Sequence, residues 1–204
     1  MTETPYRREA GYAERYRDRR FHSGSGAGTD RREREALRRL LAQATWQPGP
    51  WLDAPSGAAR MSAELPGPAV LVDRDPAMVR AAPGDWLRAC ASCHALPFAD
   101  DTFAGALCHR LLQHIPTAVE RRDILRELAR TTRGPIVVSF FDACSLQHLR
   151  RVVRRTFGKN RSGRSAVARR RFFAELHDAG LAVLAVAPLR RFLAEQTLVL
   201  CQRR

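Results

Sequence analysis

Apolar residues follow two alternating patterns along the chain. Short apolar runs, which are typical of strands buried on both faces of a sheet, cover residues 51–52, 69–72, 86–92, 103–108, 136–141, 181–187 and 197–201. Between these runs, apolar residues recur at helical spacing over residues 30–44, 76–82, 117–131 and 172–178. This alternation of strands and helices predicts an α/β protein with a mostly parallel sheet.

The first helix is predicted to begin at Asp30. Asp30 and Glu33 have the spacing of a capping box, and an apolar stripe follows at Ala36, Leu37, Leu40 and Leu41. The glycines of residues 23–28 predict a flexible joint before the helix. We therefore expect an N-terminal helical segment over residues 1–45 and the main domain over residues 46–204.

The first predicted strand runs into a turn of small residues. Asp53 ends the strand, and Ser56-Gly57-Ala58-Ala59 follows without a bulky side chain. Such a turn, with a helix after it, presents N–H groups that bind the oxygen atoms of a nucleotide. Asp73 closes the second strand about 20 residues later, near the offset of the acid that binds ribose in dinucleotide folds. Together these residues predict a nucleotide site.

Three chemically active side chains follow the fourth predicted strand. Cys108, His109 and Arg110 lie at the sheet edge where open α/β folds bind ligands. His109 can act as a general base or anchor a substrate, because the pKa of histidine lies near neutral pH, or it can be structural. His114, a little further on, is interpreted as a packing residue.

Cys90-Ala91-Ser92-Cys93-His94 contains the C-x-x-C-H spacing of haem attachment and three side chains that can ligate a metal. No second ligand pair stands at the usual spacing for zinc. Positions 90 and 93 also fall on opposite faces of a strand. We therefore interpret the segment as ordinary strand residues and expect no metal.

Five stretches, in order along the chain, resemble class I S-adenosylmethionine (SAM) dependent methyltransferases of the type 11 group. They are Leu52–Arg60, Val72–Met78, Ala95–Phe103, Leu111–Pro116 and Glu127–Arg130. The resemblance implies a Rossmann-like three-layer sandwich with a seven-stranded, mostly parallel sheet and an antiparallel strand near the C-terminus. It also implies SAM as the cofactor.

The resemblance assigns roles to individual residues. In the family, the first stretch cradles the methionine end of the cofactor, the second binds its ribose, and an N-terminal helix often lies over the site. Tyr12 and Tyr16 are therefore lid candidates. We expect cofactor contacts from Asp53, Ala54, Pro55, Ser56, Gly57, Asp73, Arg74, Met78, Ser92, Cys93, His94 and Cys108.

The chain departs from the family pattern at three positions. Pro55 and Ala59 replace glycines of the turn, and Pro55 has no N–H to donate. Ser92 stands where many relatives carry an acid that contacts the adenine amino group. Backbone groups around Cys93 and His94 would then hold the adenine.

Positive charge is concentrated in the last third of the chain. The net charge is +14, of which residues 146–204 carry +11, and ten basic residues with no acid lie between Leu146 and Ala174. Such a segment attracts phosphates, nucleic acid or anionic lipid, or it forms a solvated face. Because relatives place substrate-binding insertions nearby, we interpret residues 146–171 as a basic insertion. The residues expected to bind an anionic acceptor are Arg110, Arg161, Arg164 and Arg169.

Apolar runs and cysteine content bear on where in the cell the protein is found. No apolar run approaches 18 residues, and no apolar segment follows the charged N-terminus, so neither a membrane span nor a secretory signal is predicted. Five cysteines in such a chain favour reduced thiols over a disulfide framework. These features predict a cytoplasmic protein.

The sequence favours methyl transfer from SAM to a small-molecule or lipid-like acceptor, with His109 as the candidate catalytic residue. An RNA or protein methyltransferase that grips its target through the arginine-rich segment is one alternative, although few aromatic residues for base stacking interrupt that segment. A methyltransferase-like binding protein without activity is the other, because Pro55 and Ser92 weaken the match to the cofactor site.

Overall fold

The computed structural model describes residues 12–13, 24–156 and 164–204. Tyr16 and Arg161, two residues with predicted roles, lie outside these ranges. Seven strands form one sheet, namely β1 (Trp51–Asp53), β2 (Ala69–Asp73), β3 (Leu87–Cys90), β4 (Gly105–Cys108), β5 (Ile136–Phe141), β6 (Leu181–Pro188) and β7 (Gln196–Arg203).

The strands are arranged in the order β3-β2-β1-β4-β5-β7-β6. β1 to β5 pair in parallel, whereas β7 lies antiparallel to both of its neighbours, β5 and β6. The predicted α/β class, the seven strands and the antiparallel strand near the C-terminus are confirmed.

The helices with both ends described are α1 (Gly24–Leu41), α2 (Pro76–Ala81), α3 (Ala118–Thr131), α4 (Leu146–Thr156) and α5 (Arg169–Asp178). Side-chain caps fix two of their starts. The Asp75 carboxylate accepts from the Ala77 N–H at α2, and the Thr117 hydroxyl accepts from the Glu120 N–H at α3. None of the described helices is both long enough and apolar enough to cross a bilayer.

The central strands are buried on both faces, which makes a three-layer core. Along β5, Val138 and Phe140 point to one core cluster, where Phe140 stacks on Phe172 of α5 with ring centroids 4.1 Å apart. Val137 points to the other cluster, which contains Leu37 and Leu40 of α1. Continuous apolar runs, rather than alternation, are what such doubly covered strands require.

The start of α1 differs from the prediction. Residues 24–28, expected as part of a flexible joint, form its first turns, and Gly28 accepts a hydrogen bond from Arg32 Nη1 at 3.0 Å. Each helical glycine costs about 1 kcal/mol relative to alanine, and packing of the apolar stripe on the sheet offsets that cost. The division of the chain at residue 45 stays a prediction.

The segment after β1 also differs. No α-helix follows the turn within residues 54–68, and a single 3-10 turn at Ser62–Glu64 takes its place. Pro66 and Pro68 stand shortly before β2, and each lacks the N–H that would continue a helical ladder. The predicted helix N-terminus is therefore missing from the site.

Gly105 of β4 makes room for the Trp51 ring. A Cβ built on Gly105 would lie 2.5 Å from Trp51 Cη2 and Cζ3, and the indole is fully buried between the sheet and α1. We expect Gly105→Ala to lower the free energy of unfolding by about 1–3 kcal/mol through overpacking. Gly28→Ala is the control, because its Cβ would meet only the flexible end of Arg32 at 3.4 Å.

Urea unfolding of both variants measures the difference. Gly28→Ala should stabilise α1 by about 0.5–1 kcal/mol. Equal midpoints for Gly105→Ala and the unmutated protein would show that Trp51 moves aside without cost.

Candidate functional site

The carboxyl ends of β1, β2, β3 and β4 surround a cavity of about 590 Å³. Because these strands are parallel neighbours, the residues that follow them meet at one edge of the sheet. Of the predicted site residues, those that line the cavity are Asp53, Pro55, Ser56, Gly57, Asp73, Arg74, Met78, Ser92, Cys93, His94, His109, Arg110 and Arg164. Tyr12, one of the lid candidates, lines it as well.

Three predicted residues lie elsewhere. Ala54 and Cys108 are fully buried, and neither lines the cavity. Both side chains lie in the core cluster that includes residues of β5 and α5, and their contact with the cofactor stays a prediction. Arg169 donates from Nε and Nη2 to Asp142 Oδ2, at 2.9 and 2.6 Å. Arg169 therefore neutralises a buried carboxylate and does not line the cavity.

The turn after β1 is tied to the end of β2. The Gly57 N–H donates to Asp73 Oδ2 at 2.9 Å, and the Ser56 N–H donates to the Val72 carbonyl at 2.8 Å. Gly57 adopts φ +54°, and a Cβ built there would have no atom of the described residues within 4 Å. The backbone at Gly57 is thus open to the cavity and accessible to a ligand.

Two carboxylates at neighbouring strand ends differ in their surroundings. Asp73 accepts from the backbone N–H groups of Gly57 and Asp75, each at 2.9 Å. Asp53 is almost completely buried and accepts from the Ser62 hydroxyl at 2.5 Å. Burial raises the pKa of Asp53 to about 7, although the hydrogen bond from Ser62 and the charge of Arg60 oppose that rise. The charge of Asp53 is therefore sensitive to a cationic ligand near neutral pH.

Residues that follow β2 and β3 add apolar surface to the cavity. Met78 and Cys93 are buried there, and burial raises the pKa of the Cys93 thiol to about 12. The His94 N–H donates to the Ser92 hydroxyl at 3.3 Å. These residues offer apolar surface and backbone groups that suit a flat heterocycle.

Glu33, on α1, carries a buried carboxylate whose role differs from the one that the sequence predicted. Its side chain has no exposed surface. Arg60 Nη2 donates to Oε2 at 2.7 Å, and Arg110 donates to Oε1 from Nε at 2.8 Å and from Nη2 at 2.6 Å. Glu33 therefore holds two cations of the cavity wall in place.

The capping-box interpretation of Asp30 and Glu33 is wrong, since α1 begins earlier and Asp30 binds Arg34 and Arg60 instead. A sequence signal for the true role was present. Glu33 precedes Leu37 by four residues and Leu40 by seven, so it falls on the apolar stripe of the helix. An acid on that stripe predicts a buried partner.

His109 lies beside Glu33 without a hydrogen bond. Its Nε2 is 3.4 Å from Glu33 Oε2, and neither ring nitrogen has a hydrogen-bond partner. Burial lowers the pKa of His109 even though Glu33 opposes the shift. The imidazole is thus neutral at pH 7, and a neutral imidazole carries one nitrogen that can accept a proton.

A second cavity of about 450 Å³ adjoins the first, and Arg164 lines both. Its lining also includes Arg121, His148, Arg151 and Arg171, and no acid among the residues that the structure describes. α5 starts at its wall with Ala168 and has neither a side-chain cap nor an acid in its first turn. We call this space the basic cavity.

Comparisons with known proteins agree with this arrangement. Residues 52–134 match the family model described as a methyltransferase domain. Magnesium protoporphyrin IX methyltransferase from Synechocystis, solved with bound S-adenosylhomocysteine (SAH), is 16% identical over 94% of each chain, with a TM-score of 0.70. No curated protein matches the chain.

Two archaeal structures are also similar. A SAM-dependent methyltransferase from Methanosarcina mazei is 16% identical over 80% of this chain and 96% of its own, with a TM-score of 0.66. A methyltransferase from Haloferax volcanii, solved in complex with the Trm112 methyltransferase activator, is 15% identical over 94% and 96%, with a TM-score of 0.67. The fold is shared across these distant sequences.

Glu33→Gln tests the buried ion cluster. The change leaves Arg60 and Arg110 without their shared anion, and we expect a loss of about 2–3 kcal/mol in the free energy of unfolding. This loss is smaller than the one expected when a fully buried ion pair is broken, because the side chains of Arg60 and Arg110 are 16% and 19% exposed. Glu35→Gln, at an exposed position of the same helix, should change stability by less than about 0.5 kcal/mol.

The pH dependence gives a second measurement. The neighbouring His109, Arg110 and Arg60 hold the pKa of Glu33 well below its usual 4.5, against the opposing effect of burial. Its contribution to stability is therefore present above pH 4.5 and declines as the pH falls below that value. Below pH 4.5 the free energy of unfolding of the unmutated protein should fall more steeply with pH than that of Glu33→Gln. Equal slopes in the two proteins would contradict the ion cluster.

Proposed function

We propose that the protein transfers a methyl group from SAM to a small or lipid-like acceptor that carries an anionic group. The match of residues 52–134 to the methyltransferase domain model and the similarity of the fold to SAM-dependent methyltransferases support this proposal. The observation that supports this most is the pair of adjoining cavities. One lies where the parallel strands end, and the described residues that line the other include four arginines and no acid.

The first cavity fits SAM. Its volume lies within the usual range of about 300–1,000 Å³ for ligand pockets, and the open backbone at Gly57 leaves space that a side chain would fill. Asp73 would hold the ribose, the surface of Met78 and Cys93 would hold the adenine, and Asp53 would attract the cationic methionine end. SAM supplies an electrophilic methyl group on a positively charged sulfur.

The chain's own contribution to the reaction is positioning and proton transfer. Holding the acceptor about 3–3.5 Å from the methyl group supplies much of the rate. Where the acceptor must lose a proton, His109 is the side chain that would take it, because the neutral imidazole lines the cavity. Both ring nitrogens are buried in this structure, so a side-chain movement must first expose one of them. Arg60 and Arg110 stay fixed by Glu33 during that transfer.

The basic cavity supports an anionic acceptor. Guanidinium groups bind carboxylate or phosphate bidentately, and such bonds are stronger than neutral ones. The uncapped start of α5 adds backbone N–H groups and the positive end of a helix dipole. Since Arg164 lines both cavities, an acceptor anchored there reaches the site of transfer.

Gly57→Val tests the cofactor site. A side chain at Gly57 would compete with SAM for space, so we expect SAM and SAH affinity to fall more than tenfold in calorimetric titration. Gly180→Val is the matched control, because Gly180 also has a positive φ, +81°, and no protein atom near its Cβ, yet lies in the turn after α5. Equal losses in the two variants would show that backbone strain is responsible.

The acceptor site is tested by a variant that combines Arg164→Gln with Arg171→Gln. With candidate acceptors supplied in charged and uncharged forms, the KM for the charged form should rise about tenfold or more, while SAM affinity is unchanged. Arg170→Gln is the control, because Arg170 is exposed and does not line the basic cavity.

Two results would contradict the proposal in different ways. An unchanged KM for the charged form would remove the role of the basic cavity. SAM binding without methyl transfer to any acceptor would favour a binding protein instead, which the absence of a helix after the turn of residues 54–61 also allows.

A further inference from the structure

Exposed apolar side chains cluster on one surface. In the part of the chain that the structure describes, ten large hydrophobic residues are exposed, and six of them lie on α4 or in the loop before β7. These six are Leu146, Leu149, Val152, Val153, Phe192 and Leu193. We call them the α4 face.

Backbone hydrogen bonds join the two segments into one surface. The Leu146 N–H donates to the Phe192 carbonyl at 2.8 Å, and the Gln147 N–H donates to the Leu193 carbonyl at 3.1 Å. The apolar residues of both segments are therefore held side by side.

α4 turns its polar side toward the protein and its apolar side outward. Arg151 Nη2 lies 3.1 Å from the buried Glu195 carboxylate, and the Glu195 N–H donates to Gln147 Oε1 at 3.1 Å. Leu149 and Val153, by contrast, are 58% and 48% exposed. A helix on the surface of a water-soluble domain normally buries its apolar stripe, so the orientation of α4 indicates that something other than water covers it.

The charges around the α4 face indicate what covers it. Arg150, Arg190 and Arg191 are exposed beside the apolar residues, and the guanidinium of Arg191 lies 5.1 Å from the centre of the Phe192 ring. No acidic residue occurs in residues 146–174 or 189–194. An apolar ridge flanked by arginines is complementary to a surface with negative headgroups above a hydrocarbon layer.

We propose that the α4 face binds the surface of an anionic lipid bilayer, with α4 lying in the plane of the interface. Leu149, Val153 and Phe192 enter the outer part of the hydrocarbon, and the arginines contact phosphate groups. Val152 also lines the basic cavity, so the docked protein holds that cavity beside the headgroups. The proposal needs neither cofactor nor acceptor and stands apart from the proposed methyl transfer.

Vesicle flotation with the full chain tests the apolar contact. The unmutated protein should bind vesicles of equal parts phosphatidylcholine and phosphatidylglycerol and bind poorly to phosphatidylcholine alone. Leu149→Ser combined with Phe192→Ser should lower the partition coefficient about tenfold or more. Leu184→Ser is the matched control, because Leu184 is 53% exposed on β6, outside the α4 face.

The charge contribution is measured separately. Arg150→Gln and Arg191→Gln should each lower partitioning about fivefold, the equivalent of about 1 kcal/mol per arginine near an anionic surface. Arg170→Gln, an exposed arginine on α5, should have little effect. Raising the salt concentration should weaken binding of the unmutated protein as well, because exposed charges are screened.

Several results would overturn the proposal. The first is absence of flotation by the unmutated protein. The second is binding to vesicles of phosphatidylcholine alone that equals binding to the mixed vesicles. The third is a loss of partitioning in Leu184→Ser that equals the loss in the variant with Leu149→Ser and Phe192→Ser. A fourth is concentration-dependent dimerisation in light scattering that Leu149→Ser abolishes, with no vesicle binding, which would assign the α4 face to contact between proteins. Thermal melting by circular dichroism checks that each variant is folded.

Discussion

A buried negative charge on α1 holds together part of the cavity wall at the carboxyl ends of the parallel strands. The Glu33 carboxylate has no exposed surface, and an ion in that position is tolerated only when cations surround it. Arg60, from the segment after β1, and Arg110, from the end of β4, supply those cations. Three distant parts of the chain therefore meet at one carboxylate, which ties α1 to two arginines of the cavity wall.

The arginines of this ion cluster also affect the pKa values of neighbouring side chains. The positive charges of Arg60 and Arg110 lower the pKa of His109, in addition to the larger effect of burial. Arg60 also opposes the rise in the pKa of Asp53. A neutral base and a carboxylate that titrates near neutral pH thus stand in one cavity. Burial is the largest cause of both pKa shifts, and the charges of the ion cluster modify them.

The sheet was predictable because its signal is local. The runs at residues 69–72 and 136–141 are too apolar for anything but doubly covered strands, and the predicted edges of β5 agree with the structure at both ends. The cavity residues at Asp53, Gly57 and Asp73 followed from the same strand ends. The burial of Glu33 could have been predicted from its place on the apolar stripe of α1, but its partner Arg60 could not, because an ion pair across 27 residues leaves no periodic pattern. The start of α1 was misplaced because tertiary packing outweighed the low helix propensity of glycine.

The hydrogen bond from the Gly57 N–H to Asp73 has a consequence for the speed of ligand capture. It fastens the turn after β1 to the end of β2 through the chain's own groups, so the two halves of the pocket wall are held in register. A ligand that enters has no loop to fold and loses little conformational entropy to the protein. Encounter and desolvation, rather than closure of this turn, then set the association rate.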